Sequence, residues 1–162
     1  MKKIFILLLF VLSGTLIYAQ TSSTPSENRA ESIKTVFDFL KKCPCYFLAT
    51  VDGDRPQARP FGSLNIYDGN LYIQTGRKKN VAKQITVNPK VCICAINGNQ
   101  WIRINAELVE DNRVEAKQSM LDTMPGLKKM YSATDNNTVV YYLKNADATI
   151  NGGGGNPIKI KF

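Results

Sequence analysis

Apolar residues first recur every three or four positions along this chain and then switch to every second position. From Ser26, a candidate N-cap followed by Glu27, the residues Ile33, Val36, Phe37 and Leu40 fall at helical spacing and predict one amphipathic helix ending near Cys43-Pro44. The period then shortens to two. "YFLATV" (46–51) reads as a strand, "DGDRP" (52–56) as a turn and "QARPFGSLNIY" (57–67) as a second strand; "DGN" (68–70) is a tight hairpin turn before a third strand, "LYIQT" (71–75). "KKNVAKQITVNP" (78–89) returns to helical spacing with Val81, Ala82 and Ile85 on one face, closed by Asn88-Pro89.

"KVCICAI" (90–96) and "WIRINAELVE" (101–110) are strands around a "GNQ" turn; in the latter Trp101, Arg103 and Asn105 alternate with Ile102, Ile104 and Ala106. A helix is expected over residues 112–122, and a short second helix after Pro125. "TVVYYLKNADATI" (138–150) and "PIKIKF" (157–162) complete the strands, separated by the glycine-rich "NGGGGN". The hairpins imply antiparallel pairing. Six or seven antiparallel strands with three or four helices predict a mainly β (α+β) chain, a small closed or split barrel rather than a doubly wound sheet.

The 162 residues suit one domain with a sizeable core. The first of them read differently: Lys2 and Lys3, an unbroken apolar run from Ile4 to Leu12, and small and polar residues up to Ala19 are the three regions of a secretory signal peptide. The apolar run is much shorter than the ~20 residues a membrane-spanning helix needs. Cleavage after Ala19 and a periplasmic or secreted product are therefore expected, with no stable membrane anchor. "QTSSTPS" (20–26) reads as a disordered lead-in to a domain over 27–162.

Charge and composition then narrow the chemistry. Without the leader's two lysines, 19 cations stand against 13 carboxylates, a net +6 that favours an anionic partner. The chain has no histidine, which excludes Ser-His and Cys-His dyads and disfavours a zinc enzyme. Its four cysteines form two C-x-C pairs, Cys43/Cys45 and Cys92/Cys94, compatible with buried thiols, with disulfides or with a thiolate metal site. Nucleic acid is disfavoured: adjacent Tyr141 and Tyr142 face opposite sides of a strand, and no aromatic row interleaves with the basic residues.

The most informative stretch is "YIQTGRKKNVAKQI" (72–85), which puts Arg77, Lys78 and Lys79 where a strand ends and a helix begins. A helix N-terminus repels each cation by about 0.3–1 kcal/mol. Thr75 and Gly76 leading into a helix bring a hydroxyl, free backbone N–H groups and close backbone approach, ingredients of a phosphate site. With a phosphate bound, the cations become charge-assisted donors. The same residues also suit a solvated basic turn. Arg59, on the strand expected to pair across the "DGN" hairpin, can converge on the same point, and Pro60 beside it marks an edge or an interruption.

Together "FLATVDGDRPQARPFGSLNIYDGNLYIQTGRKKNVAKQITVNPKVCICA" and "WIRINAELVED" carry A-T-V-D-G, R-P, T-G with a following lysine, N-P-x-V and W-x-R. As a set these resemble the short form of the pyridoxamine 5'-phosphate oxidase-like flavin-binding split-barrel family, from about Phe37 to Phe162. The resemblance implies a homodimer with FMN at the subunit interface. It implies that Arg59 and Lys79 hold the phosphate with help from Lys78 and the Thr75 hydroxyl. The backbone of Pro60, Phe61 and Gly62 would line the isoalloxazine, while Gly76, Asn80 and Val81 shape the turn beneath the ribityl chain. The resemblance also implies that Gln100 and Trp101 sit where a second subunit would reach the flavin.

Authentic pyridoxamine 5'-phosphate oxidases end in a segment with tryptophan and arginines. This chain ends "GGGGNPIKIKF" and has one tryptophan, so the named vitamin B6 reaction is not expected. The expectation is an exported FMN-binding oxidoreductase acting on a small molecule, with no catalytic side chain assigned. The alternative is a non-enzymatic module that binds a flavin or another phosphate-bearing ligand.

Overall fold

The computed structural model describes residues 25–162; the leader and most of the lead-in lie outside the described residues. Helix α1 (Pro25–Lys41) starts at Pro25, so Pro25 and Ser26 are helical and not part of a lead-in. Proline suits the first helical position, where no N–H partner is lost, and Glu27 and Lys41 complement the helix dipole. Ile33, Val36, Phe39 and Leu40 form the buried stripe, while Phe37 is only partly buried.

The strands are β1 (Tyr46–Asp52), β2 (Arg55–Phe61), β3 (Asn65–Tyr67), β4 (Asn70–Gly76), β5 (Lys90–Asn97), β6 (Gln100–Asp111), β7 (Thr138–Gly152) and β8 (Ile158–Lys161). Between them lie α2 (Asn80–Val87), α3 (Val114–Thr123) and a 3-10 helix, Pro125–Lys129. All pairings are antiparallel, in the order β2-β1-β5-β6-β7-β4-β3, with β8 also on β7. Among the described residues no helix is long and apolar enough to cross a membrane.

Eight strands replace the expected six or seven because the run 57–67 is two strands, broken at residues 62–64. This also corrects the pairing of Arg59. Its strand β2 pairs with β1, with Arg59 opposite Leu48, and only β3 forms the "DGN" hairpin with β4. β2 and β3 are thus consecutive in the chain yet sit at opposite ends of the sheet path. Curling the sheet brings those two ends together, and the seam between them is the split of the barrel. Pro60 lies in a terminal strand, where its missing N–H breaks no inner ladder.

The inward residues Leu48, Ile93, Ile102, Ile104, Leu143 and Ala148 are all fully buried and share one core with α1, which packs on β4 and β8. β6 and β7 shift register between Asn105 and Glu107, opposite the stretch holding Asn145 in a left-handed conformation (φ 53°). That irregularity lets the two long strands bend from one half of the barrel to the other.

Candidate functional site

The seam is held by one serine. Ser63 Oγ accepts the Gln74 N–H (2.8 Å) and donates to the Gln74 carbonyl (2.9 Å), occupying the rung that a paired strand would have made. The buried Tyr46 phenol donates to the Ser63 carbonyl at 2.7 Å, tying the same residue to β1. Beside this seam opens a cavity of about 230 Å3. One wall is Arg59, Pro60, Phe61 and Gly62; another is Gln74, Thr75, Lys79 and Val81; the third is Leu127, Met130 and Tyr131 from the 3-10 segment.

Arg59 is fixed in direction. Its Nη1 donates to the Leu48 carbonyl (3.2 Å) and to Thr50 Oγ1 (2.6 Å), and its Nη2 donates to Gln84 Oε1 (2.8 Å). Thr50 donates in turn to Gln84 Oε1 (2.6 Å), and Gln84 Nε2 donates to Asp52 at 3.1 Å, which keeps the carboxylate one residue removed from the cation. Of the five guanidinium N–H groups, Nε–H and one on Nη2 have no acceptor among the described residues, and these two form the side-on fork that suits a phosphate or carboxylate. Burial lowers the Arg59 pKa, the sign of a cation that has lost water without gaining an anion.

The three consecutive cations have separate fates. Arg77 pairs with Glu110, whose hydrogen bond raises its pKa, so it is neutralised outside the cavity. Lys78 makes no ion pair among the described residues; its backbone N–H donates to Asn137 Oδ1 at 3.3 Å. Lys79 lies at the N-cap of α2 with no side-chain cap bond, its Nζ 5.9 Å from the centre of the Tyr131 ring. Its own N–H closes a turn onto the Gly76 carbonyl at 3.0 Å. A Cβ on Gly76 would lie 3.2–3.3 Å from the Asn137 and Tyr131 side chains, so a larger residue here must push them by a few tenths of an ångström.

Of the expected residues, the fold brings Arg59, Pro60, Phe61, Gly62, Thr75, Lys79 and Val81 to one cavity with no acidic side chain in its lining. Gly76 and Lys78 sit in the adjoining turn, and Asn80 faces a different hollow with Asp52, Gly53 and Gln84. Gln100 and Trp101 are not in the cavity. They belong to the β5–β6 hairpin, with Trp101 opposite Ile96 and under the Arg103 guanidinium at 5.1 Å.

Ser63, Gln74, Leu127, Met130 and Tyr131 complete the site and were missed. "FGS" inside an apparently continuous strand was the only local signal for Ser63. Nothing in "MPGLKKMY" points to a contact some fifty residues back in the chain. The cysteines are four free, half-buried thiols, and no cluster of three or more metal-ligating side chains occurs among the described residues.

An antiparallel sheet curled to a seam, with a basic cavity on that seam, defines a split-barrel protein. The model of the family described as pyridoxamine 5'-phosphate oxidase matches residues 33–147, and the chain belongs to the pyridoxamine 5'-phosphate oxidase-like family. A NimC/NimA family protein from Clostridium acetobutylicum is 37% identical, with a TM-score of 0.82 over 85% of this chain and 96% of that one. General Stress Protein 26 from Bacillus anthracis shares the fold at 20% identity, with a TM-score of 0.60 over 81% of this chain and 98% of that one. No curated protein matches the chain.

Proposed function

We propose that the protein is an exported flavoprotein that binds FMN at this cavity and acts as an oxidoreductase on a small molecule. The observation that carries the reading is the pair Arg59 and Lys79, two cations that have no carboxylate partner among the described residues and line a cavity without acidic side chains. Arg59 is half-buried, and a cation left unpaired there is unfavourable unless an anion joins it, while the exposed Lys79 adds positive charge at the cavity's mouth. The open space beside Gly62, where an added Cβ would meet nothing within 4 Å, leaves the backbone free to meet a flat ring.

When bound, FMN supplies the hydride or electron chemistry. The chain supplies the rest. The Arg59 fork and the Lys79 ammonium hold the phosphate, with Lys78 and the Thr75 hydroxyl alongside. Ser63 and Gln74 keep the two walls in register. Leu127, Met130 and Tyr131 shield the pocket from water.

The cavity, at about 230 Å3, is below the ~300–1000 Å3 of whole-ligand sites. In this reading a second copy completes it. A row running Pro60, Phe47, Cys94, Arg103 crosses the outer face from the cavity to the β6 side, with Phe47 52% and Ile96 67% exposed, a face suited to pairing. Gln100 and Trp101 then serve the cavity of the second copy.

FMN titration of the purified chain, followed by flavin fluorescence, tests the reading. Saturable binding that weakens in Arg59→Ala/Lys79→Ala supports it, and equal binding by both removes the site assignment. Reduction of the bound flavin by NAD(P)H and reoxidation by an added acceptor separate the oxidoreductase from a module that only binds.

A further inference from the structure

The two C-x-C pairs have the same spacing on different backbones. Cys92 and Cys94 are alternate residues of β5, both on its outer face, and pairing with β1 and β6 holds that strand extended. Two extended residues span about 6.8 Å, the upper limit of the Cα separation that a disulfide bridges. Cys43 and Cys45 instead flank Pro44 where the chain bends out of α1 toward β1. The Lys42 and Cys43 N–H groups bond back to the Phe39 and Leu40 carbonyls at 3.2 and 3.1 Å and end the helix, and the chain bends at residues 43 and 44. A bent backbone shortens the gap between alternate residues and allows the thiols to meet.

Both thiols are free and half-exposed. They line a second cavity, of about 200 Å3, together with Tyr46, Gly62, Leu64 and Met124. Gly62 also lines the Arg59 cavity, so the two hollows share a wall. Cys43 packs, partly buried, against the edge of the core, Cys45 is not part of that cluster, and neither belongs to a metal-ligating group among the described residues.

We propose that Cys43-Pro44-Cys45 is a redox-active dithiol whose substrates are low-molecular-weight disulfides, and that it closes to an intramolecular disulfide by thiol–disulfide exchange. The inference uses neither the cations nor a flavin. Cys45 makes the first attack, because the Cys43 S–H donates to the Phe39 carbonyl (3.4 Å) and burial pushes its pKa up, with neighbouring Cys45 adding to the rise. The Cys45 thiolate attacks one sulfur of RSSR, breaking that S–S bond, forming a mixed disulfide and releasing the first RSH after protonation. Cys43 then gives up its proton and attacks the Cys45 sulfur, releasing the second RSH and leaving the Cys43–Cys45 bond. Two thiols are oxidised and one disulfide is reduced, with no further oxidant. The small ring is strained, which makes the bond readily reduced again and the couple reversible.

The test incubates the fully reduced chain with glutathione disulfide at neutral pH, blocks the remaining thiols by alkylation and maps them by mass. The expected result is that the peptide carrying Cys43 and Cys45 loses two hydrogens and resists alkylation, while Cys92 and Cys94 are alkylated. Cys43→Ser should trap the glutathione adduct at Cys45, and Cys45→Ser should react at least tenfold more slowly. Oxidation of Cys92/Cys94 as fast as Cys43/Cys45 in the parent overturns the proposal, as does a Cys43→Ser chain that takes up no glutathione. Because the readout is mass, the result stands whether or not the chain binds FMN.

Discussion

Two charged corners of this barrel use similar residues to opposite ends. At the β3–β4 hairpin and the end of β6, Arg113 donates to Asp111 from Nε (3.1 Å) and Nη2 (2.8 Å) and to Asp68 from Nη1 (3.1 Å), and it lies 5.6 Å over the Tyr67 ring. The buried Tyr72 phenol donates to the same Asp111 carboxylate at 2.8 Å. Every charge there is answered from within the protein. At the seam, Arg59 is held by neutral acceptors with two N–H groups unspent, and Lys79 meets only an aromatic ring. The pairings of the first corner contribute to stability. The second keeps donors free for the anion of the proposed reading, so unspent donors, more than charge itself, distinguish it from the first.

The sharpest way to break this contrast is to remove the unspent cations. Arg59→Ala/Lys79→Ala should weaken FMN binding by about 10²–10³-fold, from two charge-assisted contacts of about 1.5–3 kcal/mol each with partial additivity. Urea unfolding should show a loss of about 1–2 kcal/mol, because no internal ion pair is lost but the Leu48 carbonyl, Thr50 and Gln84 lose the Arg59 donors. A large stability loss with unchanged affinity would reverse the roles of the two corners.

Asp111→Asn should do the opposite: destabilise by about 3 kcal/mol, because Arg113 and the Tyr72 phenol lose their shared acceptor, and leave FMN affinity unchanged. Acid provides a milder version. Hydrogen bonds from Arg113, and then from its backbone and from Tyr72, outweigh burial and hold the Asp111 pKa at about 2, below its unfolded value. A depressed carboxylate contributes its full stability above the unfolded pKa and loses it as pH falls through the folded one. About 2 kcal/mol should therefore disappear between about pH 5 and pH 2, and Asp111→Asn should flatten that part of the unfolding profile. The smallest effect belongs to Arg77→Ala. Its exposed pair with Glu110 contributes less than about 1 kcal/mol, and FMN affinity should change less than about threefold, although Arg77 adjoins Lys78 in sequence.

Much of this was legible in the one-dimensional pattern. Alternation along "WIRINAELVE" and helical spacing along "VAKQI" assigned faces correctly: Ile102, Ile104, Val81 and Ile85 are all buried. These periods are local consequences of how side chains leave a strand or a helix, so they survive without tertiary information. The seven lining residues implied by the family resemblance do converge, but the reason given for Arg59, direct pairing of its strand across the "DGN" hairpin, was incorrect. Arg59 reaches the cavity through a curled sheet and a broken strand.

Side-chain period and turn chemistry, properties of neighbours a few residues apart, were enough to specify an antiparallel α+β chain with a basic turn poised for an anion. Folding alone chose which cations are neutralised. Arg77 finds Glu110, Arg113 finds Asp111 and Asp68, and Arg59 and Lys79 find no carboxylate among the described residues. Those pairings depend on where a curling sheet closes, a distance in space that no spacing along the chain encodes.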